Sequence, residues 1–214
     1  MDQNFDFLIV GSGIAGLSFA LEVAPLGRVA IITKKDRSES NTNYAQGGIA
    51  AVLAPTDSIE KHVQDTLVAG AGLCDEQIVR QIIESSGNAI KKLIDIGVSF
   101  SKTKDNHYDL TREGGHSERR VLHAGDFTGQ EIERALIHAV THHPNISLFE
   151  HHIAIDLVSN HKLNVELDQD RRIVGLYAYD YRRQNIAAFT APVVMLASGG
   201  AGKVYQFTSN PDIA

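Results

Sequence analysis

Hydrophobic positions fall along this chain in two rhythms. The run FDFLIV (5–10) is continuously apolar up to Gly11, which suits a parallel strand buried on both faces. From Ile14 to about Ala24 the rhythm changes: Ile14, Leu17, Ala20, Leu21 and Ala24 recur three and four residues apart, predicting a helix that Pro25 and Gly27 stop. RVAIIT (28–33) is a second buried run. Strand, glycine turn, helix and strand in this order make one right-handed βαβ unit. Residues 37–48, RSESNTNYAQGG, are polar with no period and predict a loop leaving the carboxyl end of the second strand, where open α/β sheets bind ligands. IAAVL (49–53) is short and apolar.

Asp57 or Ser58 predicts a helix cap for a segment reaching about Ala69, and Asp75 a second for a helix through about Glu84. A third helix, carrying NAIKKLIDIG, stops at Gly97. The segment 98–125 is rich in glycine, histidine and charge and reads as a long binding loop. Thr128 predicts the cap of a helix with Ile132, Ala135, Leu136, Ala139 and Val140 on one face, ended by Pro144. From ISLFE onward, short β-rich segments at about 153–159, 163–167, 173–180 and 186–190 suggest a small antiparallel meander. PVVMLASGG is a last buried run that fits a return to the parallel sheet. The expected fold class is α/β, a parallel central sheet with a small antiparallel β meander, forming one domain over 1–214.

Composition narrows the partners. A chain of 214 residues with 43% hydrophobic and 21% charged residues is an ordinary globular domain. Its net charge of −6 argues against a nucleic-acid partner, and the basic pairs Lys34-Lys35, Arg119-Arg120 and Arg182-Arg183 are scattered. A single cysteine, Cys74, excludes an internal disulfide framework and reads as structural. No run approaches the ~18 apolar residues of a membrane span, and MDQNFD has neither the basic start nor the cleavage region of a secretory signal. The expected location is cytoplasmic. The histidine pairs His142-His143 and His151-His152 lack metal-ligand spacing, so no metal site is expected.

The candidate chemistry begins at Gly11, Gly13 and Gly16, spaced G-x-G-x-x-G between a buried strand and an amphipathic helix. The first glycine permits the turn, the second lets a pyrophosphate approach the backbone, and the third lets helix and strand pack closely. First-turn amides and the helix dipole then attract the phosphates. The usual fingerprint adds an acid about 20 residues on, to hold the ribose, yet this chain has VAIITKKD there, with Lys34. Lys34 or Lys35 binding the 2′-phosphate of a nicotinamide cofactor is one answer. That answer leaves unexplained the loop after the second strand and the distal LASGGAGKVY, where a second stretch of backbone can approach a cofactor.

Three further segments, SNTNYAQGGIAAVL, LTREGGHSERRVLHAGDFTG and LASGGAGKVYQFTSNPDI, occur in the order seen in the succinate dehydrogenase and fumarate reductase flavoprotein family. The chain resembles that family, and within it the L-aspartate oxidases, over essentially its whole length. The resemblance implies the amino-terminal portion of a Rossmann-like FAD-binding domain, with the chain ending at NPDIA before the family's capping domain, so that capping domain and catalytic arginine are expected to be absent and the 214 residues inactive alone. It makes Lys34 an FAD contact, since a serine or threonine followed by lysine is common there in the family. It further implies FAD contacts from Gly11, Ser12, Gly13, Ile14, Ala15 and Gly16, from Asn41, Thr42, Asn43, Tyr44, Ala45, Gln46, Gly47 and Gly48, from Ile153 and Ala154, and from Ser198, Gly199 and Gly200. Asn41 stands where succinate dehydrogenases carry the histidine that links covalently to flavin, so non-covalent FAD is expected. Glu113 matches the glutamate that aspartate oxidases hold near the substrate, where it pairs with the α-ammonium; His116 and His123 are neighbours with a more ordinary structural reading. The activity implied is oxidation of L-aspartate to iminoaspartate, with oxygen or fumarate as acceptor, in NAD biosynthesis through quinolinate. Hand-over of product to quinolinate synthase follows from the same resemblance. A fumarate reductase or succinate dehydrogenase flavoprotein is the neighbouring alternative, and a non-catalytic nucleotide-binding module the distant one.

Overall fold

The computed structural model describes residues 3–163 and 171–210. In chain order the elements are β1 (Gln3–Asn4), β2 (Phe7–Val10), α1 (Ile14–Val23), β3 (Val29–Ile32), α2 (Asn41–Tyr44), β4 (Ile49–Ala50), α3 (Ile59–Ala69), α4 (Glu76–Asp95), β5 (Leu110–Thr111), β6 (Val121–Leu122), α5 (Thr128–Thr141), β7 (Ile146–Phe149), β8 (His152–Ser159), β9 (Ile173–Asp180), β10 (Asn185–Thr190) and β11 (Val193–Leu196). They group into two compact units, residues 1–44 with 136–214, and residues 45–135.

The first unit contains two four-stranded sheets. One has the order β11-β2-β3-β7 and is parallel throughout, with Phe7 opposite Val29 and Val193, and Val29 opposite Ile146. The other has the order β1-β10-β9-β8, antiparallel except for the β1–β10 pair. Strand alternation divides the apolar side chains between two layers. Leu8, Ala30 and Ile32 join Leu176, Ala178 and Phe189 of the antiparallel sheet in one buried cluster. Ile9 points the other way, toward Gly16 of α1. Phe149 meets Phe189 edge to face at 4.9 Å, a geometry favoured by the ring quadrupoles.

The βαβ unit, the meander and the returning strand agree with the sequence pattern, with several corrections. The run 5–10 is not one strand: Asp6 interrupts it, its carboxylate accepting the Arg28 N–H at 2.7 Å, and Gln3–Asn4 pair with β10 instead. ISLFE does not open the meander, because β7 is the parallel edge beside β3. The polar loop after β3 contains a helical turn, α2, with Ser40 Oγ accepting the Asn43 N–H at 3.3 Å. The chain turns as a 3-10 helix at Asn160–Leu163, and the strand expected at 163–167 otherwise lies outside the described residues.

In the second unit, Ser58 caps α3 by accepting the Lys61 N–H and Asp75 caps α4 by accepting the Ile78 N–H. The two helices expected after Asp75 are one. Ser85 and Ser86 turn their hydroxyls back onto the carbonyls of Ile82 and Ile83, and the buried stripe Ile83, Ile90, Leu93 continues across Gly87. The loop 98–125 contains β5 and β6, which join β4 in a small antiparallel sheet of order β4-β6-β5. Thr128 does not cap through a first-turn amide; its hydroxyl accepts the N–H of Ala124, outside α5.

Candidate functional site

The glycine turn at the end of β2 is built by close backbone approach. Gly11 has φ +112°, and a Cβ there would lie 2.2 Å from the Ala197 carbonyl oxygen at the end of β11. A Cβ at Gly16 would lie 2.0 Å from the Gly11 carbonyl oxygen, so α1 can start only with glycine at both places. Gly13 occupies the N-cap of α1 with no side-chain cap, and no acidic residue stands in the first turn. Thr42 Oγ1 accepts the Ile14 N–H at 3.0 Å. The amides of Ala15 and Gly16 lie where no helical carbonyl reaches, so the positive end of the helix faces outward uncompensated. Behind the turn, Ser12 and Thr33 share a buried hydroxyl hydrogen bond of 3.0 Å.

A cleft of about 480 Å³ opens over this turn at the carboxyl ends of β2, β3 and β11. Gly11, Ser12, Gly13, Ile14, Ala15, Lys34, Asn41, Thr42, Ile153, Ala154, Ser198 and Gly199 all line it. Gly16 instead packs inside, Asn43 and Tyr44 continue α2 beyond the lining, and Gly200 follows the last lining residue. The backbone at Lys34 is braced: the Tyr181 hydroxyl donates to its carbonyl at 2.6 Å. Having spent its hydrogen there, Tyr181 accepts from His151 Nδ1 at 2.8 Å, which places the imidazole proton on Nδ1. Glu39, Ser40, Thr33 and His152 also line the cleft and were not singled out by the sequence. Glu39 supplies a carboxylate five positions after the lysine, and the Tyr44 hydroxyl donates to it at 3.1 Å. A loop with no periodic signal gave no means of placing it.

The second unit carries its own pocket, also about 480 Å³, lined by Gln46, Gly48, Thr111, Glu113, His123, Gly125, Asp126 and Phe127. Gly48 is tight against β6, where a Cβ would come 2.1 Å from the Leu122 carbonyl oxygen, whereas Gly47 has open space around it. The Ala45 carbonyl accepts the Gly129 N–H at 3.0 Å. Glu113 is exposed on a turn closed by the His116 N–H on its carbonyl at 3.2 Å, with Gly115 at φ +85°. His123 Nε2 is buried without a hydrogen-bond partner among the described residues, 3.6 Å from Asp109 Oδ2. His116 is not a lining residue; its Nδ1 lies 3.3 Å from Arg120 Nη1 and its ring 5.7 Å from that of His62.

A helix start with glycine at its N-cap and close-approach glycines around it, on the switch edge of a parallel sheet, defines a dinucleotide-binding domain of the flavin or nicotinamide type. The model of the FAD binding domain family matches residues 6–214, and the chain belongs to that family. Among its relatives, L-aspartate oxidase 2-a, chloroplastic, of Nicotiana tabacum is 52% identical over 212 residues, which are 99% of this chain and 32% of that protein. The L-aspartate oxidase of Vibrio cholerae serotype O1 is 50% identical over 218 residues, covering all of this chain and 40% of the relative. This chain thus spans about a third to two-fifths of the length of such proteins. Among solved structures, E. coli quinol fumarate reductase FrdA superposes with a TM-score of 0.90 at 30% identity, over 100% of this chain and 35% of that one. Mycobacterium smegmatis Sdh1 gives 0.84 at 30% identity, over 99% and 37%. The cleft fits FAD: the turn leaves backbone open to a diphosphate, no first-turn carboxylate repels it, and Ile153 and Ala154 offer an apolar wall. Among the described residues no helix is long and apolar enough to cross a membrane.

Proposed function

We propose that the protein oxidises L-aspartate to iminoaspartate, with these residues supplying the FAD cleft and one substrate group. The observation that carries the reading is Glu113: an exposed carboxylate in a polar pocket with Thr111 and His123, in a chain half identical to L-aspartate oxidases. The α-ammonium is the group that separates aspartate from succinate, and a carboxylate is its natural partner. The amides of Gly13 and Ala15 would hold the pyrophosphate, Lys34, Asn41 and Thr42 the polar parts of the cofactor near it, and Ile153 and Ala154 the adenine, with Ser198 and Gly199 along the opposite wall. When bound, FAD supplies a two-electron acceptor for the hydrogen at the substrate α-carbon. The protein's part is to orient that carbon and to keep the substrate ammonium paired.

With Asn41 in the loop, the FAD is proposed to be dissociable. Oxygen or fumarate would reoxidise it, the product would feed NAD biosynthesis through quinolinate, with hand-over to quinolinate synthase, and the single Cys74 suits a reducing compartment such as the cytoplasm. The tobacco relative is named chloroplastic. Likeness to FrdA favours a fumarate reductase or succinate dehydrogenase flavoprotein as the second reading. Anaerobic mixing of the full-length holoprotein with each substrate separates the two: bleaching of the flavin band by L-aspartate is the expected result, and bleaching by succinate alone sinks the proposal.

A further inference from the structure

The turn that presents Glu113 leaves and rejoins the β5–β6 pair, where the Thr111 carbonyl accepts the Arg120 N–H at 3.2 Å, and its tip stands free except where Gly115 approaches Ala69 of α3. Residues 112–115 are exposed, and a Cβ at Gly114 would touch nothing within 4 Å. Beyond that pairing, the side-chain hold on the loop lies where it ends, against α3. There a single oxygen, Asp65 Oδ2, accepts three hydrogen bonds: the Ser117 N–H at 2.8 Å, the Ser117 hydroxyl at 2.8 Å and Arg120 Nη1 at 2.5 Å. Lys61, one turn earlier on α3, reaches Glu118 at 2.6 Å. Arg120 is fully buried, and its other edge is already held by a two-pronged pair with Asp57, at 2.8 Å from both Nε and Nη2. Burial of the guanidinium therefore does not account for the two bonds that Asp65 accepts from Ser117. Those bonds tie the loop.

We infer that Asp65 is a positioning residue: by clamping Ser117 and Arg120 it fixes the turn that aims Glu113 at the ammonium group of the substrate. The inference rests on the substrate role proposed for Glu113. It is tested in the full-length FAD-loaded protein with Asp65→Asn, Glu113→Gln and the pair combined. Asparagine keeps an acceptor but loses the charge that makes these bonds strong. Asp65→Asn is expected to retain FAD, to raise KM for L-aspartate roughly tenfold with kcat changed far less, and to speed amide hydrogen exchange at 113–117. Combined with Glu113→Gln it should add little, since both changes remove one interaction. A wild-type KM in Asp65→Asn, or losses that add in full, overturns the inference while Glu113 stands. If Glu113→Gln itself leaves KM for aspartate unchanged, the substrate reading fails and the positioning role with it. Should Asp65→Asn not fold, Ser117→Ala removes one of the three bonds and is expected to raise KM by about two- to threefold; unchanged KM and unchanged exchange in that variant also overturn it.

Discussion

Lys34 is the residue at which the cofactor reading is most exposed to test. It stands where a ribose-binding acid is usual, it lines the cleft, and its carbonyl is pinned by Tyr181. As an FAD contact it offers a charge-assisted donor, and losing one such bond costs on the order of 1.5–3 kcal/mol. Lys34→Ala is therefore expected to weaken FAD binding by at least tenfold, read by flavin fluorescence titration, with no change in the preference for FAD over NADP. Full affinity in the variant would show that the contact is misassigned. The glycines were legible through their spacing: Gly16 is required by the Gly11 carbonyl oxygen of its own turn, 2.0 Å from a Cβ there, whereas the Ala197 carbonyl that requires Gly11 comes from the end of β11 and is not readable locally. Tyr181 and His151 were not, since the link to the lysine joins the hairpin after β9 and the turn between β7 and β8 to the end of β3, and nothing in any one of these segments announces it. Glu39 was missed for the reverse reason, lying in a polar stretch where every side chain looks like solvated loop.

At the level of elements, legibility followed length and capping. α1, α3 and the start of α4 were found because a 3.6-residue rhythm met a cap or a breaker, whereas β1, β4, β5 and β6 have two residues each and no rhythm to read. The division of one helix into two at Ser85-Ser86-Gly87 shows propensity overruled by packing. Each of these residues disfavours helix, yet the apolar stripe on both sides is buried as one face. The helix still bears the cost of Gly87, and a Cβ there would meet nothing within 4 Å. Gly87→Ala is accordingly expected to stabilise the protein by about 0.4–1 kcal/mol, mainly by restricting the unfolded chain. Urea unfolding of the full-length protein checks it, and a lowered midpoint would mean that α4 is not continuous through this point.

Acid stability belongs to the molecule as a whole, and the Arg120 cluster gives it a defined shape. Arg120, Asp57 and Asp65 bury charge that is tolerable only while every partner stays ionised. Burial works against ionised Asp65, but the Ser117 hydrogen bonds and Arg120 outweigh it and lower its pKa from 3.8 to about 2. A carboxylate whose pKa is depressed on folding stabilises fully above its unfolded value, and that contribution is lost as pH falls from about 4 toward 2. His62 acts at higher pH. Burial first, then Arg120 and His116, lower its pKa below 6.5, with Asp57 and Asp65 opposing. The unfolded chain then takes up the proton before the folded one does, and stability starts to fall below about pH 6.5. Wild-type stability should accordingly decline in two stages on acidification, the first from His62 and the second from Asp65 together with other paired carboxylates, Asp57 and Glu150 among them. In Asp65→Asn the second stage is reduced by the share of Asp65. Its deficit against wild type should widen somewhat below about pH 6.5, where His62 loses the favourable charge of Asp65, and then narrow between about pH 4 and 2, as measured by urea midpoints across that range. A deficit that persists undiminished toward pH 2 would mean that the Asp65 charge contributes nothing to the clamp, and that shape alone holds the loop.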